Sequence, residues 1–210
     1  MMRVLIADDH AVVRAGLRQI LEETGEIAVS GEAANGAELI DLVRRGECDL
    51  VILDISMPGR GGVEVLPRLR SERPRLPVLI LSTYPEEQYA VRLIKAGASG
   101  YLSKESAPEM LVQAVRQIAR GGRYISPAVA ELLASQVAGG NGTAAHEQLS
   151  NREYEVMRML GAGKTVTEVA QKLSLSVKTV STYRARLLDK LSLQSNADLI
   201  RYVIENRLAD

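Results

Sequence analysis

The chain has 210 residues, of which 46% are hydrophobic and 25% charged, so it is not intrinsically disordered and has room for one large domain or two modest ones. Its apolar runs are strand-length, well short of the roughly 20 residues that span a bilayer, and acidic residues appear too early for a secretory signal. The single cysteine, Cys48, allows no internal disulfide and no paired-cysteine metal site. We therefore expect a cytoplasmic protein without a membrane partner.

The first 120 residues alternate between short β-rich runs and amphipathic segments. Such alternation predicts a parallel sheet with helices on both faces, and strands this uniformly apolar are typical of a sheet buried on both sides. The segment at 108–119 is preceded by Ser106 and contains Glu109, a spacing that predicts a capping box, with Pro108 in the first helical position. The predicted strands are 3–7, 27–33, 50–53, 78–81 and 100–102.

The pattern changes after residue 122, where the strands stop. One more helix is predicted over 126–137, and the Gly- and Ala-rich run 138–145 indicates a flexible linker, with a long surface loop in one domain as the alternative. Beyond residue 149, capping boxes predict helices at about 151–161, 166–173, 177–191 and 196–206. The short gap between the second and third of these is typical of a helix-turn-helix. We therefore expect a domain over 1–122, a linker over 123–147 and a helical domain over 148–210.

Acidic side chains follow two of the predicted strands. Asp8 and Asp9 come after the first strand and Asp54 after the third, and ligands of an open parallel sheet bind at the carboxyl ends of its strands. Three carboxylates in one crevice need a cation, and oxygen ligands suit Mg²⁺. Ser82 and Lys104 reach the same edge from the last two strands. Each residue alone is more simply explained by turn chemistry or solvation, but together they favour phosphoryl transfer.

The motifs VLIADD (4–9), LVILDISMPGRGG (50–62), PVLILSTY (77–84) and AGASGYLSK (96–104) carry a resemblance to the response-regulator receiver domain over residues 2–120. The resemblance implies a flavodoxin-like α/β fold, with a five-stranded parallel sheet in the order 2-1-3-4-5, and a histidine kinase as partner. Tyr101 takes the place of the family's switch aromatic. By position, the resemblance implies that Asp54 is the phosphoacceptor and that Ser82 and Lys104 bind the phosphoryl oxygens. It also implies that Mg²⁺ is held by Asp9, Asp54 and the backbone carbonyl of Ser56, with Asp8 contributing through water.

The zero net charge hides a basic segment, because Lys172 to Lys190 contains five bases and one acid. Residues 149–193 resemble the four-helix effector domain of the NarL/FixJ (LuxR-type) response regulators, and the KTVSTYRARLLDKL run is most similar to the group that includes GacA, UvrY and BvgA. The resemblance implies double-stranded promoter DNA as a partner. It also implies a homodimer on activation. The last helix is the usual dimer surface of this effector, although its Leu199, Ile200 and Val203 are equally consistent with core packing.

The helix that begins at Val177 is predicted to have one buried and one DNA-reading face. Helical spacing places Val177, Val180, Leu187, Leu188 and Leu191 toward the core. We expect phosphate or backbone contacts from Lys178, Thr179, Arg184 and Arg186, and base-edge contacts from Ser181, Thr182 and Ala185. Small side chains cannot make bidentate guanine contacts, so specificity would depend on Arg184, Arg186 or DNA shape. The alternative is an ordinary solvated face.

Three functions compete at this point. The leading hypothesis is a transcription factor switched by a histidine kinase, which is an enzyme only in assisting its own phosphorylation and dephosphorylation. A phosphatase or phosphotransferase similar to the haloacid dehalogenases would need a second Asp two residues after the nucleophile, where this chain has Ser56. The third hypothesis is an interaction protein whose helical domain no longer binds DNA, and the basic helix argues against it.

Overall fold

A computed structural model describes residues 1–46, 48–57, 62–84, 86–138, 145–206 and 208. The chain forms two compact units, Met1–Ala138 and Gly139–Asp210, which are described separately. None of the helices in the described ranges is long and apolar enough to cross a membrane. Most of the predicted flexible run, residues 139–144, falls outside the described residues.

The first unit contains a five-stranded parallel sheet. Its strand order, β2-β1-β3-β4-β5, confirms the predicted doubly wound topology. Asp54, predicted to follow the third strand, instead ends it and pairs with Leu81. Ser82 ends the fourth strand, as predicted, and pairs with Ser103. The register therefore brings the functional side chains to one edge of the sheet. The strands are β1 (Met2–Ala7), β2 (Ile27–Ala33), β3 (Leu50–Asp54), β4 (Val78–Ser82) and β5 (Gly100–Ser103).

Helices connect these strands and cover the sheet. The core is built from Leu, Ile, Val and Ala, because the chain has neither Phe nor Trp. The start of α5 corrects one prediction, since its N-cap is Ala107 and no side chain caps the helix. Pro108 occupies the first helical position as expected, which leaves Ser106 one residue too early to form the predicted capping box. The helices are α1 (Ala11–Glu22), α2 (Gly36–Arg45), α3 (Gly62–Glu72), α4 (Glu86–Lys95), α5 (Pro108–Ala119) and α6 (Pro127–Ala138).

The segment that leads into α6 is packed onto the first unit. Tyr124 forms a parallel bridge with Gly100 of β5, and a side chain at Gly100 would meet the Tyr124 carbonyl oxygen at 2.8 Å. The hydroxyl of Ser126 donates to Glu86 Oε1 at 2.7 Å, and Val129 is buried. The predicted helix therefore exists, and contacts of the described residues attach it to the sheet and α4.

The described part of the second unit has helices and no strands. They are a short 3₁₀ helix, Ala145–Gln148, followed by α7 (Asn151–Gly161), α8 (Val166–Lys172), α9 (Val177–Lys190) and α10 (Asn196–Glu205). All three predicted capping boxes form, at the starts of α7, α8 and α10. Between α8 and α9, Ser174 adopts a left-handed conformation with φ of 52°, which reverses the chain within a few residues and produces the helix-turn-helix.

The core of the second unit follows the predicted periodicity with one exception. Val180 and Leu187 are completely buried, and Leu188 and Leu191 nearly so. Val177 is 48% exposed, so its predicted core position is wrong. Val177 is the first residue of α9, beside the Ser176 N-cap, where the helix begins to leave the core.

Helix α10 packs its apolar side on α7. Leu199 and Val203 are completely buried, and a side chain at Gly161 would meet Val203 Cγ2 at 2.6 Å. For these two α10 residues the core-packing interpretation is therefore correct. The large hydrophobic residue that α10 exposes is Ile204, at 62%.

Candidate phosphoacceptor site and DNA-binding helix

Asp54 lies at the end of β3 in a buried ionic cluster. Its side chain is 1% exposed, as is that of Asp8. The Nζ atom of Lys104 bridges the two carboxylates, at 2.7 Å from Asp54 Oδ2 and 2.6 Å from Asp8 Oδ2. The backbone N–H of Ser56 donates to the other Asp54 oxygen at 2.9 Å. The residues predicted from separate strand ends thus converge on one site.

The electrostatics of the cluster follow from its burial. Burial raises the pKa of Asp54 above its usual range, and the hydrogen bonds from Lys104 and the Ser56 N–H only partly oppose this. For Lys104 burial alone would lower the pKa, but hydrogen bonds to Asp54 and Asp8 outweigh it and the pKa is raised. A single ammonium thus faces two buried carboxylates, which leaves the site with negative charge to be neutralised.

The carboxylates of the cluster fit a small divalent cation. One oxygen from each of Asp8, Asp9 and Asp54 lies within 4.8 Å of the others, and a ring nitrogen of His10 lies within the same distance. Asp9 Oδ1 is buried and lies 3.0 Å from His10 Nδ1, without hydrogen-bond geometry to any described donor. A buried carboxylate oxygen without a donor is costly unless a cation or water satisfies it. Oxygen atoms crowded at such distances are what Mg²⁺ requires.

Ser82 and Tyr101 lie beside the cluster. The Ser82 hydroxyl accepts a hydrogen bond from the Tyr84 N–H at 3.0 Å, and the Ser82 carbonyl accepts one from the Lys104 N–H at 2.8 Å. Tyr101 is 2% exposed and its hydroxyl donates to the Tyr84 carbonyl at 2.7 Å. Burial raises the pKa of Tyr101 well above its usual value. The predicted switch aromatic is therefore already inward in the unmodified chain.

Two residues at this site were missed by the sequence analysis. His10 Nδ1 lies 3.0 Å from Asp9 Oδ1 and 3.2 Å from Asp8 Oδ1. Arg14 donates to the Asp8 carbonyl at 2.7 Å and pairs with Glu32, so it holds the loop after β1. The signal for both was their position: His10 directly follows the two acids, and Arg14 lies one helical turn further on.

Helix α9 presents to solvent a face of small side chains and two cations. Lys178, Ser181, Thr182, Ala185 and Arg186 are exposed, as predicted, and Thr179 is half-buried. The Thr182 hydroxyl is turned back to the Lys178 carbonyl at 3.0 Å, so its methyl group is the part of the side chain left for other contacts. This face therefore carries cations at its edges and small side chains between them.

Arg184 differs from the other predicted DNA contacts. It is half-buried on the flank of α9 toward α10, and its Nε donates to Asn196 Oδ1 at 2.6 Å. This bond fixes the direction of the guanidinium beside the N-terminus of α10. The C-terminal end of α9 is anchored as well, because Lys190 Nζ donates to the buried Glu153 carboxylate of α7 at 2.7 Å.

Family models match both parts of the chain. Residues 4–116 match the response regulator receiver domain, and residues 147–203 match the bacterial regulatory proteins of the luxR family. The chain is similar to the response regulator UvrY of Escherichia coli strain K12, with 36% identity over the whole of this chain and 97% of the relative. It is equally similar to the response regulator GacA of Pseudomonas aeruginosa, at 36% identity over the whole chain and 99% of the relative.

The structure is also similar to a solved regulator on DNA. RcsB from Salmonella enterica serovar Typhimurium, bound to the promoter rprA with phosphomimetic BeF₃⁻, matches with a TM-score of 0.65 and 30% identity, over 96% of this chain and 97% of that one. The match spans both units and agrees with the strand order and the helix-turn-helix described above. The chain therefore belongs to the two-component response regulators in which a receiver domain is followed by a LuxR-type helix-turn-helix DNA-binding domain.

Proposed function

We propose that this protein is a transcriptional regulator in which a histidine kinase phosphorylates Asp54 and thereby promotes dimerisation and promoter binding. The observation that carries the proposal is the buried Asp54 carboxylate, bridged by Lys104 to Asp8 at the same edge of the sheet. A carboxylate oxygen of Asp54 attacks the phosphorus of the kinase phosphohistidine, the P–N bond breaks, and the leaving imidazole takes up a proton. Because the regulator would act on promoter DNA, we place it in the cytoplasm.

The residues around Asp54 have separate tasks in this transfer. Lys104 offsets the negative charge of the incoming phosphoryl group, and the Ser82 hydroxyl, which accepts from the Tyr84 N–H in the unmodified chain, would donate its proton to a phosphoryl oxygen. Asp9, Asp54 and the backbone carbonyl of Ser56 would hold Mg²⁺, with Asp8 acting through water. Mg²⁺, when bound, supplies charge neutralisation for the transferred group.

The signal leaves the site through the loop after β4. When the Ser82 hydroxyl turns toward a phosphoryl oxygen, it loses its hydrogen bond from the Tyr84 N–H. The carbonyl of the same residue, Tyr84, accepts a hydrogen bond from the Tyr101 hydroxyl. Tyr101, held inward by that bond, and the loop would then settle in the arrangement that favours the dimer. Phosphorylation acts here by shifting the populations of existing conformations.

We propose that the dimer places two copies of α9 in successive major grooves. Lys178, Thr179, Arg184 and Arg186 would contact the phosphate backbone, and Ser181, Thr182 and Ala185 would face the base edges. The exposed Ile204 supports α10 as part of the dimer surface. Because the central side chains are small, base preference would come from thymine methyl contacts, Arg186 or DNA shape.

A beryllofluoride titration with Mg²⁺ tests the switch. Oligomeric state and affinity for a genomic fragment selected by the protein are measured together, and we expect dimerisation with a gain in DNA affinity of about 5–150-fold. Asp54→Asn, which keeps the shape of the side chain, should abolish both responses. An unchanged oligomeric state and affinity, or a full response in Asp54→Asn, would refute the proposal.

The DNA face is tested by the dependence of affinity on salt. Lys178→Ala combined with Arg186→Ala removes two cations, so the slope of log affinity against log salt should fall by about two. Arg120→Ala, at an exposed arginine of the first unit, serves as the control and should leave the slope unchanged. Wild-type slope and affinity in the double variant would show that α9 does not lie in the groove.

A further inference from the structure

His10 lies directly against the acidic cluster although it is not part of the predicted site. It is the N-cap residue of α1, but its side chain caps no helix N–H. The backbone N–H of His10 donates to Asp8 Oδ1 at 2.8 Å, which turns the imidazole back over the carboxylates. The ring is 65% exposed. One face of His10 thus covers the acids while the rest remains open to solvent.

The distances within this group match the edges of a metal coordination shell. At a metal–ligand distance of about 2.1 Å, neighbouring ligands of an octahedral ion lie about 3.0 Å apart and opposite ones about 4.2 Å. His10 Nδ1 is 3.0 Å from Asp9 Oδ1 and 3.2 Å from Asp8 Oδ1. All four donors, including one from Asp54, fall within 4.8 Å of one another. The nitrogen therefore stands where a further ligand of one ion would stand.

We propose that His10 Nδ1 is a direct ligand when this site holds a first-row transition-metal ion such as Ni²⁺ or Zn²⁺, whereas Mg²⁺ is held by oxygen atoms alone. The inference rests on the proposed metal site of the receiver and extends it. Imidazole suits nickel and zinc, while magnesium prefers carboxylate, carbonyl and water oxygens. The neutral ring would bind the ion through Nδ1 and keep its proton on the solvent-exposed Nε2.

A simple hydrogen bond between His10 and the acids is the competing explanation. It accounts for the contact of Nδ1 with Asp8 Oδ1 at 3.2 Å, but the shorter approach of Nδ1 to Asp9 Oδ1, at 3.0 Å, lacks hydrogen-bond geometry. A shared ion satisfies the imidazole nitrogen and both carboxylates at once. Such an ion would compete with Mg²⁺ for Asp9 and Asp54, so transition-metal levels would modulate the phosphoacceptor site.

The test compares the two histidines of the full-length chain, which contains only His10 and His146. Binding of Ni²⁺ and of Mg²⁺ is measured by calorimetry for the wild type, His10→Asn and the control His146→Asn. We expect His10→Asn to weaken Ni²⁺ binding about tenfold or more and to leave Mg²⁺ binding within about twofold. His146→Asn should match the wild type for both ions.

A second readout identifies the bound nitrogen. Long-range ¹H–¹⁵N spectra resolve both imidazoles, and Zn²⁺ should shift Nδ1 of His10 while Nε2 keeps its proton. Equal Ni²⁺ affinity in His10→Asn and the wild type, or an unmoved Nδ1 resonance at saturating Zn²⁺, would overturn the inference. If Mg²⁺ binding itself is absent or survives Asp54→Asn unchanged, the proposed function of the acidic site fails as well, so the two failures are distinguishable.

Discussion

Replacing Lys104 by Met should destabilise the receiver and make its stability depend on Mg²⁺. The Lys104 side chain is 12% exposed, and its ammonium lies within 2.7 Å of two carboxylates whose side chains are each 1% exposed. Breaking a buried pair by removing one partner costs about 3–5 kcal/mol, because charge is left buried without compensation. In Lys104→Met the buried charges of Asp8 and Asp54 also repel each other, so we expect a loss in this range at neutral pH without divalent cations.

Mg²⁺ should return much of that stability. A ligand that binds only the folded state at a hundred times its dissociation constant stabilises it by about 2.7 kcal/mol, and the variant site carries one more net negative charge than the wild type. The gain from Mg²⁺ should therefore be larger in Lys104→Met. The stability lost in Lys104→Met should also become smaller on acidification. Burial raises the pKa of Asp54, and the buried charge of Asp54 disappears as the pH falls through that raised pKa.

Urea unfolding followed by circular dichroism, with chelator and with Mg²⁺, measures these differences. Lys172→Met makes the same chemical change at an exposed lysine of the second unit and should respond to Mg²⁺ as the wild type does. A loss below about 1 kcal/mol in Lys104→Met, the range of exposed ion pairs, or an equal gain from Mg²⁺ in variant and wild type would refute the reasoning.

Two further predictions concern the second unit. Gly161→Ala places a methyl group 2.6 Å from Val203 Cγ2, and overpacking of this kind lowers the free energy of unfolding by about 1–3 kcal/mol. In urea unfolding, adding Val203→Ala to Gly161→Ala should recover part of that lost stability. Stability losses of the two substitutions that simply add would contradict the contact. Lys190→Met removes the donor to Glu153. Burial alone would raise the pKa of Glu153, but the hydrogen bonds from Lys190 and the Ser150 N–H lower it, so the pair stabilises the fold above glutamate's usual pKa and this contribution is lost as the pH falls through the lowered value. We expect a loss of about 1 kcal/mol at neutral pH that vanishes in acid; a pH-independent loss would count against the pair.

The sequence predicted the sheet and the location of the acidic site because both depend on one-dimensional patterns. Apolar runs marked the strands, and parallel topology brought their ends together, so Asp54, Ser82 and Lys104 could be assigned to one edge before any coordinates. The three capping boxes of the second unit were equally readable, because the side chain and the N–H that it binds are three residues apart.

What the sequence did not reveal depends on side-chain direction and tertiary packing. Periodicity predicted Val177 in the core, but Val177 lies in the first turn of α9, where its side chain is exposed to solvent. Arg184 was predicted to contact the DNA backbone, but its hydrogen bond to Asn196 was not predicted, because Asn196 belongs to another helix. His10 was passed over because its position directly after two acids does not by itself show that its ring turns back onto them.

The measurement that tests the central claim most directly is the affinity for DNA as a function of the fraction of chains that carry a phosphoryl group. The full-length protein is treated with phosphoramidate and Mg²⁺, occupancy is determined by intact mass, and affinity for a selected genomic fragment is measured on the same sample. The account predicts one phosphoryl group per chain and an affinity that rises in proportion to it, with neither change in Asp54→Asn. Phosphorylation that persists in Asp54→Asn, or DNA affinity indifferent to occupancy, would contradict it.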